Sequence, residues 1–256
     1  MSFPRKLYID SRFRAPGSAS HSDFTFQLPR SIELPAGTRA VVDSVQIPNV
    51  FPTVETGRSL LYLLVTDVGV PSVEIVVPLI EGHYNAYTLT SHLQDQLNAS
   101  GYGVWTVGYD ETTGRLSLNV GGSGLVVRLL GRDKNRPNDA LEVIGADEGG
   151  LTLINGFTEI LPHHIDIVGV RVLFLASPNF GAYNCLGPRG ESDYIRQIMV
   201  NEGFSGYITD KLNHPAEYID VGGAQLQSLK FKLVDGKGEV VNMRGRSIAF
   251  SIIFLD

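Results

Sequence analysis

Cysteine is almost absent: Cys185 stands alone in 256 residues, so no disulfide can form within the chain, and folding in a reducing compartment is expected. No apolar run approaches the ~20 residues that a membrane-crossing helix needs. The opening Met-Ser-Phe-Pro-Arg-Lys lacks the hydrophobic stretch of a secretory signal, so the expected product is soluble or part of a soluble assembly. Charge is sparse, at 19% of residues, and the balance is acidic, with a net charge of −6. That argues against a general nucleic-acid binder and leaves room only for a local basic patch. Strand–helix–strand alternation is missing, which excludes dinucleotide-binding sheets and β/α barrels. No internal repeat is found. The Gly-x-Ser-x-Gly signature is absent too, since Gly121-Gly122-Ser123-Gly124 has neither its spacing nor a strand-to-helix context.

What is present suits short strands joined by tight turns: 28 glycines and 13 prolines are spread along the chain. The length allows one large core or two modest ones. The C-terminal stretch organises the rest. Leu229, Phe231 and Leu233 alternate with Ser228, Lys230 and Lys232, the pattern of a half-buried strand. Asp235-Gly236-Lys237-Gly238 reverses the chain, and a hairpin is expected to follow. Ile248–Leu255 is apolar on both faces, so it belongs inside a sandwich. A buried final strand needs partners from far earlier in the chain, which favours a jelly roll over a meander. Upstream, Phe24, Phe26 and Leu28 alternate, and Val41, Val45 and Ile47 share one phase of a strand over Arg39 to Ile47. Leu60–Val65, Val73–Ile80 and Ile165–Ala176 predict further buried strands. Leu89, Leu93 and Leu97 define one helical face over Thr88 to Asn98, with Asn85 or Thr88 to cap its start and Gly101 to end it. The fold class is therefore all-β, a single jelly-roll β-sandwich with one helical excursion.

Few residues invite chemistry. His163-His164-Ile165-Asp166 is the best metal-like cluster, but neighbours on a strand face opposite ways, so His163 and His164 cannot both ligate. Further ligands would have to come from His83, His92 or His214, which sit near turns or on the helix. Gly187-Pro188-Arg189-Gly190-Glu191-Ser192 lacks the Lys-Ser/Thr and the helix of a phosphate loop and reads as an exposed turn. Nothing near Cys185 in sequence would lower its pKa. The carboxylates are dispersed. No catalytic residue, metal ligand or cofactor is expected. One feature runs against the overall charge: Arg5, Lys6, Arg12 and Arg14 make the N-terminal segment basic. Residues 1–22 read either as a solvated arm or as a flexible arm that docks on an acidic neighbour or on packaged nucleic acid.

Three groups of residues resemble a known family in their order along the chain. Tyr8-Ile9-Asp10-Ser11-Arg12 leads to Ser22-Asp23-Phe24-Thr25-Phe26 and Leu28-Pro29. Val42-Asp43-Ser44-Val45-Gln46-Ile47-Pro48-Asn49-Val50-Phe51 precedes Glu81-Gly82-His83-Tyr84 and the Leu89 helix. Leu229–Gly236 and Phe250–Phe254 close the chain. Together they resemble the penton (vertex) or minor capsid proteins of virophages, polinton-like viruses and large DNA viruses. The resemblance implies a virion protein without catalysis, five copies at an icosahedral vertex, and a major capsid protein as neighbour. It also implies an inserted α+β or β-rich domain, expected over 83–159 with one helix and a hairpin, leaving 23–82 and 160–256 as the jelly roll. Other readings stay open: another minor capsid or cement protein, a carbohydrate-binding jelly roll using Tyr183, Tyr194, Tyr207 and Tyr218, and a cupin-like metalloenzyme built on the His cluster. The carbohydrate reading lacks a secretion signal and has only one tryptophan to draw on.

Overall fold

The computed structural model describes residues 5–67, 69–122, 124–154, 156–180, 186–212 and 218–255. In chain order come β1 (Lys6–Asp10), β2 (Asp23–Glu33), β3 (Arg39–Pro48), β4 (Leu60–Thr66) and β5 (Val73–Pro78). Helix α1 (Ala86–Ala99) follows, then β6 (Val104–Asp110), β7 (Arg115–Gly121) and β8 (Val126–Leu130). After the short helix α2 (Leu141–Ile144) come β9 (Gly150–Ile154) and β10 (Thr158–Ile160). The chain closes with β11 (Val172–Ala176), β12 (Tyr194–Met199), β13 (Tyr207–Lys211), β14 (Ile219–Asp220), β15 (Gln225–Asp235) and β16 (Ala249–Leu255). Two compact units result: Met1–Phe51 with Val170–Asp256, and Pro52–Gly169.

The first unit is a sandwich of two antiparallel sheets. One runs β1-β16-β3-β13, with β14 also on β3, and the other runs β12-β11-β15-β2. The first strand lies beside the last, and the second beside the last but one. Each sheet is thus joined from both ends of the unit, which is jelly-roll topology. The alternation read in Ser228–Leu233 has its cause here: Leu229, Phe231 and Leu233 enter a core with Phe24, Val45, Ile47, Leu173, Leu175, Phe250, Ile252 and Phe254. Phe231 spans the two sheets, meeting the edge of the Phe250 ring at 4.9 Å between centroids. At one open side, Arg196 of β12 points inward and its Nε donates to Asp210 Oδ2 of β13 at 2.5 Å, while Nη2 donates to the Lys211 carbonyl at 2.7 Å. This pair ties the edge of one sheet to the edge of the other.

Several expectations are corrected. β15 and β16 do not form a hairpin; they lie in opposite sheets, and the turn after Asp235 returns only as far as a single Val234–Val240 bridge. β3 does not keep one phase. Ser44 pairs with Ser251 but Val42 pairs with Ile252, so Asp43 is an extra residue that flips the alternation. Ala40 and Val42, not Val41, therefore join Val45 and Ile47 in the core. Phe174 also leaves the main core: with Tyr194, Ala176 and Val234 it forms a small separate cluster, its ring stacked on Tyr194 at 4.6 Å.

The second unit carries its own core beneath the sheets β5-β4-β8-β9 and β10-β7-β6. Asn85 caps α1 through a reciprocal capping box with Thr88, and Leu89, Leu93 and Leu97 are all buried, packing with Trp105, Val107 and Val120. The unit is wider than the expected 83–159. β4 and β5 belong to it, because Leu61, Leu63, Val65 and Val77 pack in the same cluster as the helix, and β4 pairs with β8. The run Ile165–Ala176 is not one strand. Ile165 and Ile167 pack on this second core, whereas Leu173 and Leu175 belong to the jelly roll. Gly169 marks the change at φ +73°, where a Cβ would stand 2.6 Å from the Pro52 carbonyl oxygen.

Candidate assembly surface

The basic N-terminal segment was expected to be a flexible arm over 1–22. Its described part, from Arg5 onward, is folded onto the jelly roll, for three reasons. Ile9 is a core residue and β1 pairs with β16 from Lys6–Ile253 to Asp10–Ala249. Ser11, fully buried, exchanges two bonds with Ile248: its N–H donates to the Ile248 carbonyl at 3.0 Å, and its Oγ accepts from Ile248 N–H at 2.9 Å. Serines then replace apolar burial along the polar stretch. Ser18 Oγ donates to Ala15 O and accepts from Thr25 N, Ser20 Oγ accepts from the Ser22 and Asp23 amides, and Ser22 Oγ donates to Val241 O.

The four basic residues fall differently. Arg5 is exposed. Lys6 Nζ donates to Asp43 Oδ2 at 2.6 Å and lies over the Tyr8 ring. The bulge described above makes that partner available. Arg12 returns to Asp10, with Nε 2.9 Å and Nη2 2.5 Å from Oδ2, yet its side chain stays two-thirds exposed. Arg14 donates to the Ser11 carbonyl at 3.2 Å and lies against His21. These pairs leave clear electrostatic marks. The Arg12 guanidinium holds the Asp10 carboxyl below its ordinary pKa, and the Lys6 ammonium does the same for Asp43. Burial first, and then Arg14, push His21 down.

The outer face of the β1-β16-β3-β13 sheet is partly concave. Cross-strand register places Tyr8, Ser251, Ser44 and Lys211 in one row and Asp10, Ala249, Gln46 and Thr209 in the next. The two central strands carry only small residues there, apart from Gln46. A cleft of about 360 Å³ is lined there by Tyr8, Phe13, Ser44, Ser251 and Ala249, with Phe26 of β2 reaching it from the other sheet. Sequence reading missed this site. Its signal lay in Ala249 and Ser251, the two small residues in an otherwise bulky strand.

The other candidates do not converge. His163 lies on a bend and His164 just after it, both exposed and neither on a strand, and Asp166 accepts from Arg58 Nη1 at 3.4 Å. His92 Nε2 accepts the Ile80 amide and its ring stacks on Tyr84. Among the described residues, no group of three or more His, Cys, Asp or Glu could hold a metal ion. Pro188 and Arg189 form a turn before β12. Tyr194 is buried on Phe174, Tyr207 is exposed on β13 and Tyr218 is half-buried. Cys185, Tyr183, His214 and Ser123 lie outside the described residues. No helix among the described residues is long and apolar enough to cross a membrane.

The fold is thus a single jelly roll interrupted between β3 and β11 by a second β-rich unit. The crystal structure of the mavirus penton protein is similar over 98% of this chain and 99% of that one, with a TM-score of 0.55 and 9% sequence identity. The likeness is one of fold, and it takes in both units. No protein-family model matches the sequence, and no curated protein matches it.

Proposed function

We propose that the chain is a penton protein, a structural subunit that assembles as five copies at the five-fold vertices of an icosahedral capsid. The observation that carries this reading is the end-to-end fold similarity with the mavirus penton protein, which includes the inserted unit as well as the common jelly roll. Physical arguments agree with it. A ring is one heterologous contact repeated until it closes. A jelly roll has side edges and connecting loops available for that contact. A net charge of −6 is small enough for copies to pack side by side without strong repulsion. Contacts between copies are weak in this reading, so the ring closes only at high concentration or within the surrounding shell of major capsid protein. The folded segment from Arg5 to Arg14 then works as a docking patch: Arg5, Lys6, Arg12 and Arg14 meet an acidic neighbour or packaged nucleic acid. Localisation to the virion follows, with no enzymatic activity of its own.

The test is chemical cross-linking of the full chain over rising concentration, read by mass. A ladder that stops at five supports the ring. A ladder that stops at two or three contradicts it. Charge reversal at Arg5 and Arg12 should leave the ladder intact and weaken attachment to co-expressed major capsid protein.

A further inference from the structure

We propose that the cleft on the outer face of the β1-β16-β3-β13 sheet binds a neutral saccharide. Its walls are aromatic and open: Tyr8 is 72% and Phe13 73% exposed. Apolar surface gathered in one place marks a contact site where residues scattered singly do not. The cleft, at about 360 Å³, is within the size range of small-ligand sites.

The floor selects the chemistry. Lys6 donates to Asp43, and Ser251 Oγ donates to the same Asp43 Oδ2 at 3.2 Å. A serine hydroxyl has a single proton. In the 2.8 Å contact between Ser44 and Ser251, Ser44 is therefore the donor. Its oxygen keeps a lone pair for an incoming hydroxyl. Beside it, the exposed Gln46 amide offers two donors and an acceptor. Of the residues lining the cleft only Asp10 is charged, and Arg12 matches it, so nothing within the cleft calls for an ionic ligand. An alkyl chain or apolar peptide would strip water from Ser44 and Gln46 without replacing its bonds, a net cost. A sugar ring meets both demands. Its C–H face lies on an aromatic wall while its hydroxyls exchange bonds with Ser44 and Gln46. The stacking comes from Tyr8 and Phe13, neither of which belongs to the aromatic set first suspected from sequence.

Saturation-transfer NMR on the full chain tests this, with the methyl glycosides of glucose, galactose, mannose and N-acetylglucosamine, plus lactose and cellobiose, at up to tens of millimolar. The expected result is saturable transfer to sugar C–H protons for at least one probe. Tyr8→Ala and Phe13→Ala should each weaken binding by about tenfold, with melting unchanged because both rings are exposed. Ala249→Leu should abolish it by filling the floor without removing a polar group. Three results would overturn the proposal: no transfer to any probe, affinity unchanged in all three variants, or transfer from an alkyl glycoside mainly through its alkyl chain. A change in self-association on Tyr8→Ala without sugar binding would assign the cleft to a second copy, and equally end the saccharide reading.

Discussion

At the scale of single residues, the two jelly-roll phenylalanines that look alike in sequence should behave differently. Phe250 is 4% exposed and meets Phe231 across the sandwich, so Phe250→Ala should cost about 3–5 kcal/mol in urea unfolding. Phe174 is 9% exposed in its small outer cluster, and Phe174→Ala should cost only about 1.5–3 kcal/mol. Equal losses would mean the two clusters are one core. Asp210→Ala removes the carboxylate from Arg196, whose side chain is 4% exposed, and should cost about 3 kcal/mol. Replacing Arg196 by Met as well should recover much of that loss. Acid should destabilise the protein in two windows. Burial holds His21, His83 and His92 below their ordinary pKa; at His21 Arg14 adds to this, while Ser11 and Asp10 oppose it, as Asp95 does at His92. With a lowered folded-state pKa, the unfolded chain takes up protons first. The stability these histidines contribute is complete above about pH 6.5 and is lost as pH falls below it. Asp10 and Asp43, lowered by Arg12 and Lys6, keep their contribution until about pH 3.9 and lose it below. Melting temperature against pH should show both steps, and His21→Asn should shrink the upper one alone.

At the scale of elements, α1 rests on a capping box, and Asn85→Ala should lower stability of the second unit by about 1 kcal/mol. β1 is the other test. Because Ile9 and Ser11 are tied to β16 and Ile248, deleting residues 5–11 should destabilise the jelly roll itself, where removal of a loose arm would leave melting unchanged. Legibility followed the same lines. The helix face of Leu89, Leu93 and Leu97 and the alternation of Leu229, Phe231 and Leu233 could be read because each element separates one core from water. β3 could not, because the bulge at Asp43 changes its phase midway. Ile165–Ala176 could not, because consecutive apolar residues serve two different cores. Burial of β4 was readable, but its partner β8 was not, since pairing at that separation leaves no local mark. The N-terminal segment reads as loose because, beyond Ile9 and the pairing of β1, serine hydrogen bonds rather than apolar residues hold it.

At the scale of the whole molecule, the central claim is a vertex role inferred from fold. A jelly roll alone would not carry it, since the same sandwich hosts many functions. The fold likeness to the mavirus penton protein takes in the interruption as well as the sandwich, and the vertex role itself is the proposal to be tested. The saccharide cleft draws Tyr8 and Phe13 from within the basic segment, so a sugar and a neighbour docked on Arg5–Arg14 would compete for one surface, and each proposal keeps its own test. The most direct measurement is a cryo-electron reconstruction of assembled particles containing this chain, with its density traced. The account predicts five copies closed around each five-fold axis, with Arg5–Arg14 against the adjoining shell. Density at two-fold or three-fold positions, or a chain absent from the five-fold axes, would contradict it.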